Sequence, residues 1–448
     1  MRHVSRYDEV EMFQIDVLNH ASVLIRLGGV AILSDPWFEG TSFSGGWGLA
    51  YDNADAYELA AQATHLWISH WHSDHLHAPT LTKIAQRDPH ISVLANTSAN
   101  FAMADRLAKL GFGNLQCLAE REPVSLAPSL AVCRYPTAGI DNMLHIVGDG
   151  VSILNYNDCN LPAAGVRGLR RSIGHVDVLL ANYNHAGKLF ATDAPQDEKR
   201  RWYGRLAALA DLFQARCVIP FASSHYYRSP FSAEQNASLL SFDDLEAFSA
   251  GDPRVCVLRI GERAVFTDRS ARPAVVARQP GLTKNTADVC DYGSSVEMGE
   301  LLQTCTARCE QLQRSFGALW RLVGPLRIRL ADTGVVIELS LGGPARVLEH
   351  ARARPHIEAH SRAIADWFGR RFGDDTFFAG AHFGIVDRDT TAIERWALIS
   401  LLEASHLDPR SMLAYLGSAA GLQFLWSRRE EIVASLIANR VKAAQPRL

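Results

Sequence analysis

The stretch Ile68-Ser69-His70-Trp71-His72-Ser73-Asp74-His75-Leu76-His77 is the most informative part of the chain, because it holds four histidines and one aspartate. It continues a short apolar run, Leu66 to Ser69, that is typical of a buried strand. Pro79 follows and favours the first turn of a helix. The sequence therefore predicts that the histidines lie in a loop at the end of a strand.

The order of these side chains, H-x-H-x-D-H, suits two metal ions. Alternate residues of an extended segment share a side, so His70 and His72 can face one ion. Asp74 and His75 can then turn towards a second ion nearby. Imidazole and carboxylate ligands suit zinc, iron or manganese and leave positions open for water or dioxygen. A solvent-facing polar loop is the alternative, but one histidine rather than four is typical of such a loop.

The same pattern resembles the metallo-β-lactamase fold, and further residues match that resemblance in the expected order over residues 12–265. Asp158 follows a β-hairpin and matches the aspartate that bridges two metals. His225 follows a buried strand and matches the late histidine of the second metal. Asp35 matches an early aspartate that supports the ligands from behind. The resemblance implies an α/β fold, namely a metallo-β-lactamase-like αββα sandwich, and a C-terminal helix-rich α+β domain is expected to follow it.

One histidine that the resemblance implies is absent. It should precede the bridging aspartate, but residues 135–141 contain no histidine. His145 lies inside the following strand, where we expect a packed or hydrogen-bonded side chain. Asp141, at the start of that strand, either replaces the missing ligand or only caps the turn. A carboxylate in this place would make the site harder and more suited to iron.

The resemblance thus implies a dinuclear centre with three ligands for each metal and a shared carboxylate. The assigned ligands are His70, His72 and Asp141 for the first metal, Asp74, His75 and His225 for the second, and Asp158 as the bridge. Among them, Asp74 and Asp158 are the predicted catalytic carboxylates.

Local phrases narrow the resemblance to the CMP-N-acetylneuraminate hydroxylases and their bacterial relatives. The phrases Ser34-Asp35-Pro36-Trp37-Phe38-Glu39-Gly40 and Phe43-Ser44-Gly45-Gly46-Trp47 are similar to the start of that family. This resemblance implies a non-heme di-iron oxygenase that hydroxylates or N-oxygenates a small polar substrate. In that family a Rieske domain feeds electrons, but this chain has no C-x-H…C-x-x-H motif. An oxygenase would therefore need an external electron donor, a reductase or a ferredoxin.

Two other functions stay open at this point. The wider fold also implies a dinuclear zinc or manganese hydrolase of an ester, lactone, amide or phosphoester. The missing histidine leaves open a metal-binding or scaffold protein without catalytic activity. Metal identity separates the oxygenase from the hydrolase, because only the oxygenase needs iron and a reductant.

His185 and Lys188 follow another buried strand, Val178 to Ala181. Loops at strand ends often carry binding residues. These two side chains therefore either contact a substrate anion or belong to a plain surface turn.

The composition fits a cytoplasmic globular protein. Of the 448 residues, 48% are hydrophobic and 21% are charged, with a formal net charge of −3. This balance argues against nucleic acid and membrane surfaces as partners. We expect no signal peptide, because the first residues carry charges, and no transmembrane helix, because no apolar stretch is long enough. The eight cysteines are scattered and are expected to stay reduced.

A polar, proline-punctuated segment near residues 268–288 divides the chain. We predict a catalytic domain over residues 1–268 and a helix-rich accessory domain over residues 269–448. The elements expected in the second domain are a hairpin turned by Asp332-Thr333-Gly334 and helices over residues 294–322, 355–371, 390–404 and 408–440. Its apolar faces are suited to roofing the metal cleft, to forming a homodimer or to stabilising the first domain.

Overall fold

The computed structural model describes most of the chain. The described residues are 13–96, 103–137, 140–188, 194–267, 272–277, 285, 288–316, 321–349, 354–370, 372–404 and 426. The helix predicted over residues 408–440 lies outside this part of the chain, apart from residue 426. Within the described residues, no helix has both the length and the apolar character that crossing a membrane requires.

Strands of the N-terminal region form two large sheets and one small one. In chain order these strands are β1 (Phe13–Asn19), β2 (Ser22–Leu27), β3 (Val30–Ser34), β4 (Thr41–Ser42), β5 (Trp47–Leu49), β6 (His65–Trp67), β7 (Ser92–Asn96), β8 (Leu115–Leu118), β9 (Pro123–Ala127), β10 (Leu130–Pro136), β11 (Asn142–Gly148), β12 (Val151–Asn157), β13 (Val178–Asn182), β14 (Cys217–Phe221), β15 (His225–Tyr227), β16 (Glu262–Phe266) and β17 (Ala274–Ala277). The first sheet has the order β17-β16-β1-β2-β3-β6-β7-β8, and the second has the order β14-β13-β12-β11-β10-β9. The small sheet has the order β15-β5-β4.

Apolar side chains point alternately to the two faces of the early strands and so build two hydrophobic layers. Ile15, Ile25 and Ile32 point between the two large sheets and are at most 2% exposed. Leu24 and Leu33 point to the opposite face of the first sheet and are fully buried there. Because both faces of this sheet carry apolar side chains, both must be covered by other parts of the protein.

Helices cover the outer faces. In chain order they are α1 (Ala56–Ala60), α2 (Ala78–Arg87), α3 (Met103–Lys109), α4 (Ala163–Ile173), α5 (Pro195–Phe213) and α6 (Phe242–Ser249). The side chains of α1, α2 and α3 join the hydrophobic layer outside the first sheet, whereas those of α4 and α5 pack on the second. The described part of this region is therefore the predicted αββα sandwich.

The C-terminal region is a separate α+β layer with its own hydrophobic core. Its elements in chain order are α7 (Met298–Phe316), β18 (Leu326–Leu330), β19 (Val336–Leu339), β20 (Arg346–Leu348), β21 (Ile357–Ala359), α8 (Ser361–Gly369), α9 (Gly373–Ala379), β22 (Phe383–Ile385) and α10 (Thr391–Ala404). The sheet has the order β20-β19-β18-β21-β22. The predicted hairpin and the helix predicted over residues 390–404 are confirmed.

One prediction about this region is wrong in part. The helix predicted over residues 355–371 is wrong at its start, because β21 pairs in parallel with β18 there. His360 then caps α8, and its Nδ1 accepts a hydrogen bond from the N–H of Arg362 at 3.1 Å. In addition, β17 pairs with β16 and extends the first sheet beyond the predicted boundary at residue 268.

Candidate metal centre

The candidate ligands meet at one edge of the sandwich. β3, β6 and β7 run parallel in the first sheet, and β12, β13 and β14 run parallel in the second. In α/β proteins, bound molecules and ions lie beyond the carboxyl ends of parallel strands. Three non-glycine residues next to these ends have positive φ, namely Asp35 at 42°, Asn157 at 59° and Ala222 at 53°. A positive φ at a non-glycine residue costs energy, and residues in this conformation are concentrated at functional sites.

The first ligand group consists of His70, His72 and Asp158, whose ligand atoms all lie within 4.8 Å of one another. Nε2 of His70 lies 2.9 Å from Nδ1 of His72 and 3.8 Å from Oδ2 of Asp158. The histidines come from the loop after β6, and the aspartate directly follows β12. The structure therefore brings together three of the residues that the sequence assigned to metals.

Asp141 lies beside the first ligand group. Its Oδ1 is 3.9 Å from Nε2 of His70. Its main-chain oxygen accepts a hydrogen bond from the N–H of Thr137 at 2.9 Å. The backbone thus closes the turn between β10 and β11, and the carboxylate faces the site.

The second ligand group consists of His20, Asp74 and His75, all of them buried. Oδ2 of Asp74 lies 3.2 Å from Nε2 of His20 and 3.3 Å from Nε2 of His75. Sequence reasoning missed His20, which stands between β1 and β2. The available signal was a histidine at the tip of a hairpin whose two strands are apolar, so that the tip is drawn into the protein.

Asp158 connects the two ligand groups. Its Oδ2 lies 3.5 Å from Nε2 of His75, as well as 3.8 Å from Nε2 of His70. Three buried atoms at this junction have no hydrogen-bond partner among the described residues, namely Oδ1 of Asp74, Nε2 of His75 and Oδ1 of Asp158. A buried polar atom without a partner costs about 1–3 kcal/mol. Converging nitrogen and oxygen atoms of this kind fit metal ions.

Asp35 holds the loop behind the ligands. Its Oδ1 accepts a hydrogen bond from the N–H of Ser69 at 2.8 Å, and its Oδ2 accepts one from the hydroxyl of Ser69 at 2.8 Å. Oδ2 also accepts a hydrogen bond from Nδ1 of His75 at 3.1 Å. Because Nδ1 is engaged in this way, Nε2 of His75 is the nitrogen that faces the centre.

His225 lies next to the second ligand group without belonging to it. Its ring stacks on Trp47 at 3.9 Å between centroids and lies 5.4 Å from the ring of His20. Both ring nitrogens are buried and have no hydrogen-bond partner among the described residues. The structure thus places His20 where the sequence assigned His225, and the ligand role of His225 stays a prediction.

The structure bears on the loop of His185 and Lys188, while contact of His185 with a substrate anion stays a prediction. His185 is 2% exposed and stacks on Tyr227 with 5.5 Å between ring centroids, so a plain surface turn is wrong. Burial lowers the pKa of His185 to about 4, which keeps the imidazole neutral. Nζ of Lys188 donates to the main-chain oxygen of Phe231 and pairs with Glu234 at 2.8 Å. Contact of Lys188 with a substrate anion is therefore disfavoured, because its charge is already neutralised.

The C-terminal region contributes one carboxylate that the sequence did not indicate. Oδ1 of Asp375, in α9, lies 3.9 Å from Nε2 of His72. Its Oδ2 accepts a hydrogen bond from Nε1 of Trp71 at 3.0 Å. Burial would lower the pKa of His72, but the neighbouring carboxylate of Asp375 outweighs it and raises that pKa to about 9.

The carboxylates of the centre also influence one another. Burial and the neighbouring charge of Asp158 raise the pKa of Asp141 to about 7. Burial also raises the pKa of Asp158, but the imidazoles of His70 and His75 outweigh it and hold that pKa below its ordinary range. Positive charge thus stabilises the cluster, and a metal ion supplies such charge.

The two ligand groups differ in exposure. The side chains of His72 and Asp158 are 22% and 20% exposed, and that of Asp141 is 24% exposed. The side chains of His20 and Asp74 are only 2% and 4% exposed. The open face of the centre is therefore on the side of the first ligand group.

Comparison with known families agrees with this fold and site. Residues 14–182 match the family model described as "Beta-lactamase superfamily domain". This match confirms the resemblance that the metal loop indicated.

Named relatives match a shorter stretch. Cytidine monophosphate-N-acetylneuraminic acid hydroxylase of Asterias rubens is 42% identical over 86 residues, which are 19% of this chain and 13% of the relative. The Homo sapiens relative, named as inactive cytidine monophosphate-N-acetylneuraminic acid hydroxylase, is 43% identical over 81 residues, 18% of this chain and 16% of that protein. The chain thus matches less than a fifth of either relative.

Solved structures show more distant likenesses. CmlA, a diiron β-hydroxylase from Streptomyces venezuelae, is 18% identical, with 57% of this chain and 54% of that chain covered and a TM-score of 0.42. Isothiocyanate hydrolase from Delia radicum gut bacteria is 14% identical, with 58% of this chain and 100% of that chain covered and a TM-score of 0.42. Likenesses at this level do not indicate which reaction this chain catalyses.

Proposed function

We propose that this chain is a non-heme di-iron oxygenase that hydroxylates or N-oxygenates a small polar substrate. The observation that carries this proposal is the donor set, because each ligand group contains two histidines and one carboxylate. Two histidines and one carboxylate, with positions left open, are the donor set of non-heme iron oxygenases. Asp141 adds a further hard oxygen donor 3.9 Å from Nε2 of His70, which favours iron.

The named relatives support the choice of an oxygenase. Both are named as hydroxylases, and they are similar to this chain at 42% and 43% identity. The match is short, however, and one of the two is named as inactive. We therefore base the proposal on the donor set and do not transfer the sugar-nucleotide substrate to this chain.

The protein would hold the two metals through its two ligand groups, with Asp158 between them and Asp141 beside the first. When bound, the iron pair would supply the activation of dioxygen. Asp35 orients His75 by accepting its Nδ1–H. Trp37 and Trp47 are at most 2% exposed next to His20 and keep water from the closed side of the centre. The substrate would enter where His72, Asp141 and Asp158 are exposed.

An oxygenase of this kind needs a source of electrons. Hydroxylation combines R–H, dioxygen, two electrons and two protons to give R–OH and water. All eight cysteines lie among the described residues, and the groups of metal-binding side chains found there contain no cysteine. We therefore propose that a separate reductase or ferredoxin donates the electrons. No observation bears on a homodimer, which stays a prediction.

A dinuclear zinc or manganese hydrolase is the second candidate. The same donor set, two histidines and one carboxylate, also holds catalytic zinc with one position open for water. Bound zinc would supply a nucleophile at neutral pH from that water. The substrate classes for this reading are esters, lactones, amides and phosphoesters.

Reconstitution with one metal at a time tests the proposal. Metal-free protein is loaded under nitrogen with ferrous iron or with zinc, and each form is tested for dioxygen uptake with a chemical reductant and for hydrolysis without one. We expect uptake by the iron form only, and none by His70→Ala treated identically. Hydrolysis by the zinc form, without uptake by the iron form, would replace the oxygenase by the hydrolase.

A further inference from the structure

We propose that Asp375 of the C-terminal region is a positioning residue of the metal centre, holding His72 so that its Nδ1 faces the first metal. This inference rests on the dinuclear centre proposed above. It assigns a role to the C-terminal region, which the sequence left open between a roof over the cleft, a dimer surface and a stabilising layer.

The orientation of His72 carries the argument. Its Nδ1 lies 2.9 Å from Nε2 of His70, so these two nitrogens converge on the same point. Its Nε2 points the other way and lies 3.9 Å from Oδ1 of Asp375. A histidine that binds metal through one nitrogen usually donates the other N–H to a carboxylate or carbonyl. Asp375 stands where that acceptor is required.

Asp375 is itself held in place by the metal loop. Nε1 of Trp71 donates to its Oδ2 at 3.0 Å, which leaves Oδ1 directed at His72. The ring of Trp71 packs beside Phe372 at 5.6 Å between centroids. One carboxylate therefore contacts two consecutive residues of the metal loop, and its two oxygens have separate partners.

The C-terminal region lies too close to the segment between β4 and β5 to be a loose neighbour. A Cβ placed on Gly46 would lie 2.6 Å from the main-chain oxygen of Gly380, so the two backbones touch. His382 donates from Nε2 to the main-chain oxygen of Phe43 at 2.7 Å. Gly380 and His382 directly follow α9, the helix that carries Asp375. This close contact fixes α9, and with it Asp375, against the centre.

Metal affinity measured separately for each site tests the inference. Cobalt is titrated into metal-free full-length protein against a chelator, and the visible absorption of each site is followed. Loss of a hydrogen bond that supports a metal ligand typically costs 10–100-fold in affinity. We expect Asp375→Ala to weaken one of the two sites by about that factor and change its absorption, with Asp375→Asn in between. The other site should keep its affinity.

The control is Asp366→Asn, in the same region, whose carboxylate pairs with Arg370 at 3.0 Å and not with the metal loop. It should leave both affinities unchanged. Trp71→Phe offers a second route, because it removes the donor to Oδ2 and should weaken the same site less. Unaltered cobalt affinity and absorption in folded Asp375→Ala and Trp71→Phe would overturn this inference alone. A wild-type chain that binds no cobalt would overturn the centre itself and the inference with it.

Discussion

Oδ2 of Asp35 lies 3.1 Å from Nδ1 of His75, although 40 residues separate them in the chain. The same carboxylate receives the N–H and the hydroxyl of Ser69. One buried side chain therefore fixes both the start of the metal loop and the ring orientation of a ligand. Asp35 is fully buried, so these hydrogen bonds have no competition from water.

Asp35→Asn should both weaken metal binding and lower the free energy of unfolding. The amide of asparagine replaces one acceptor oxygen by a donor, which leaves a partner at His75 or Ser69 unsatisfied. We expect about 10–100-fold weaker binding of one metal and a loss of about 1–3 kcal/mol in the free energy of unfolding. Metal titration and urea unfolding measure the two effects. Asp252→Asn, whose carboxylate pairs with Arg254 at 2.7 Å, is the control and should leave metal binding unchanged.

Asp141→His should change which metal the centre prefers. The substitution introduces the histidine that the resemblance implies and removes a hard oxygen donor next to His70. Softer nitrogen donors favour zinc relative to iron. We expect the ratio of zinc affinity to iron affinity to rise, measured by competition between the two metals under nitrogen. Asp141→Asn is the control, because it removes the charge of the carboxylate without adding an imidazole nitrogen. An unchanged ratio of zinc affinity to iron affinity in Asp141→His would show that Asp141 is not a ligand.

His145 should make the stability of the metal-free protein depend on pH. It is 6% exposed in β11, its Nε2 hydrogen-bonds with Ser152 at 2.8 Å, and burial lowers its pKa from 6.5 to about 4. Between these values the unfolded chain binds a proton that the folded chain does not bind, so the stabilisation is complete above pH 6.5 and is lost as the pH falls towards 4.

We therefore expect wild type to lose about 1–3 kcal/mol more than His145→Gln between pH 7 and pH 5. Urea unfolding of metal-free protein at both pH values measures the difference. Equal losses in wild type and variant would contradict a depressed pKa at this position.

Gly46→Ala should destabilise the contact between the two regions. The added Cβ would lie 2.6 Å from the main-chain oxygen of Gly380, where only a backbone shift can make room. Overpacking of this kind typically costs about 1–3 kcal/mol. Gly343→Ala is the matched control, because nothing lies within 4 Å of its Cβ. Thermal unfolding should give a lower unfolding temperature for Gly46→Ala than for Gly343→Ala. Equal unfolding temperatures would show that the backbone at Gly46 and Gly380 shifts without cost.

The sequence predicted those parts of the site that are local in the chain. The loop from His70 to His75 carries its ligands within six residues, so spacing alone indicated a metal centre. The pair Gly28-Gly29 is typical of a two-residue hairpin turn, and both residues have positive φ in the turn between β2 and β3. In the metal loop and in this turn, residues that are close in the chain determine the local structure.

Long-range contacts account for what the sequence did not predict. His20 approaches Asp74 across 54 residues, and Asp375 approaches Trp71 across 304 residues. No local pattern links such pairs, because the packing of whole sheets brings them together. Tertiary pairing also explains the wrong helix start, since β21 gains a partner in β18 that helical periodicity does not reveal.

The most direct test of the dinuclear centre is the metal content of the purified chain. The ligand atoms of two groups converge, and Oδ2 of Asp158 lies within 3.8 Å of an imidazole in each. After supplementation with ferrous iron under nitrogen, elemental analysis should find two metal ions per wild-type chain. Asp158→Ala should hold fewer. A wild-type chain that holds no metal after supplementation would contradict the central claim.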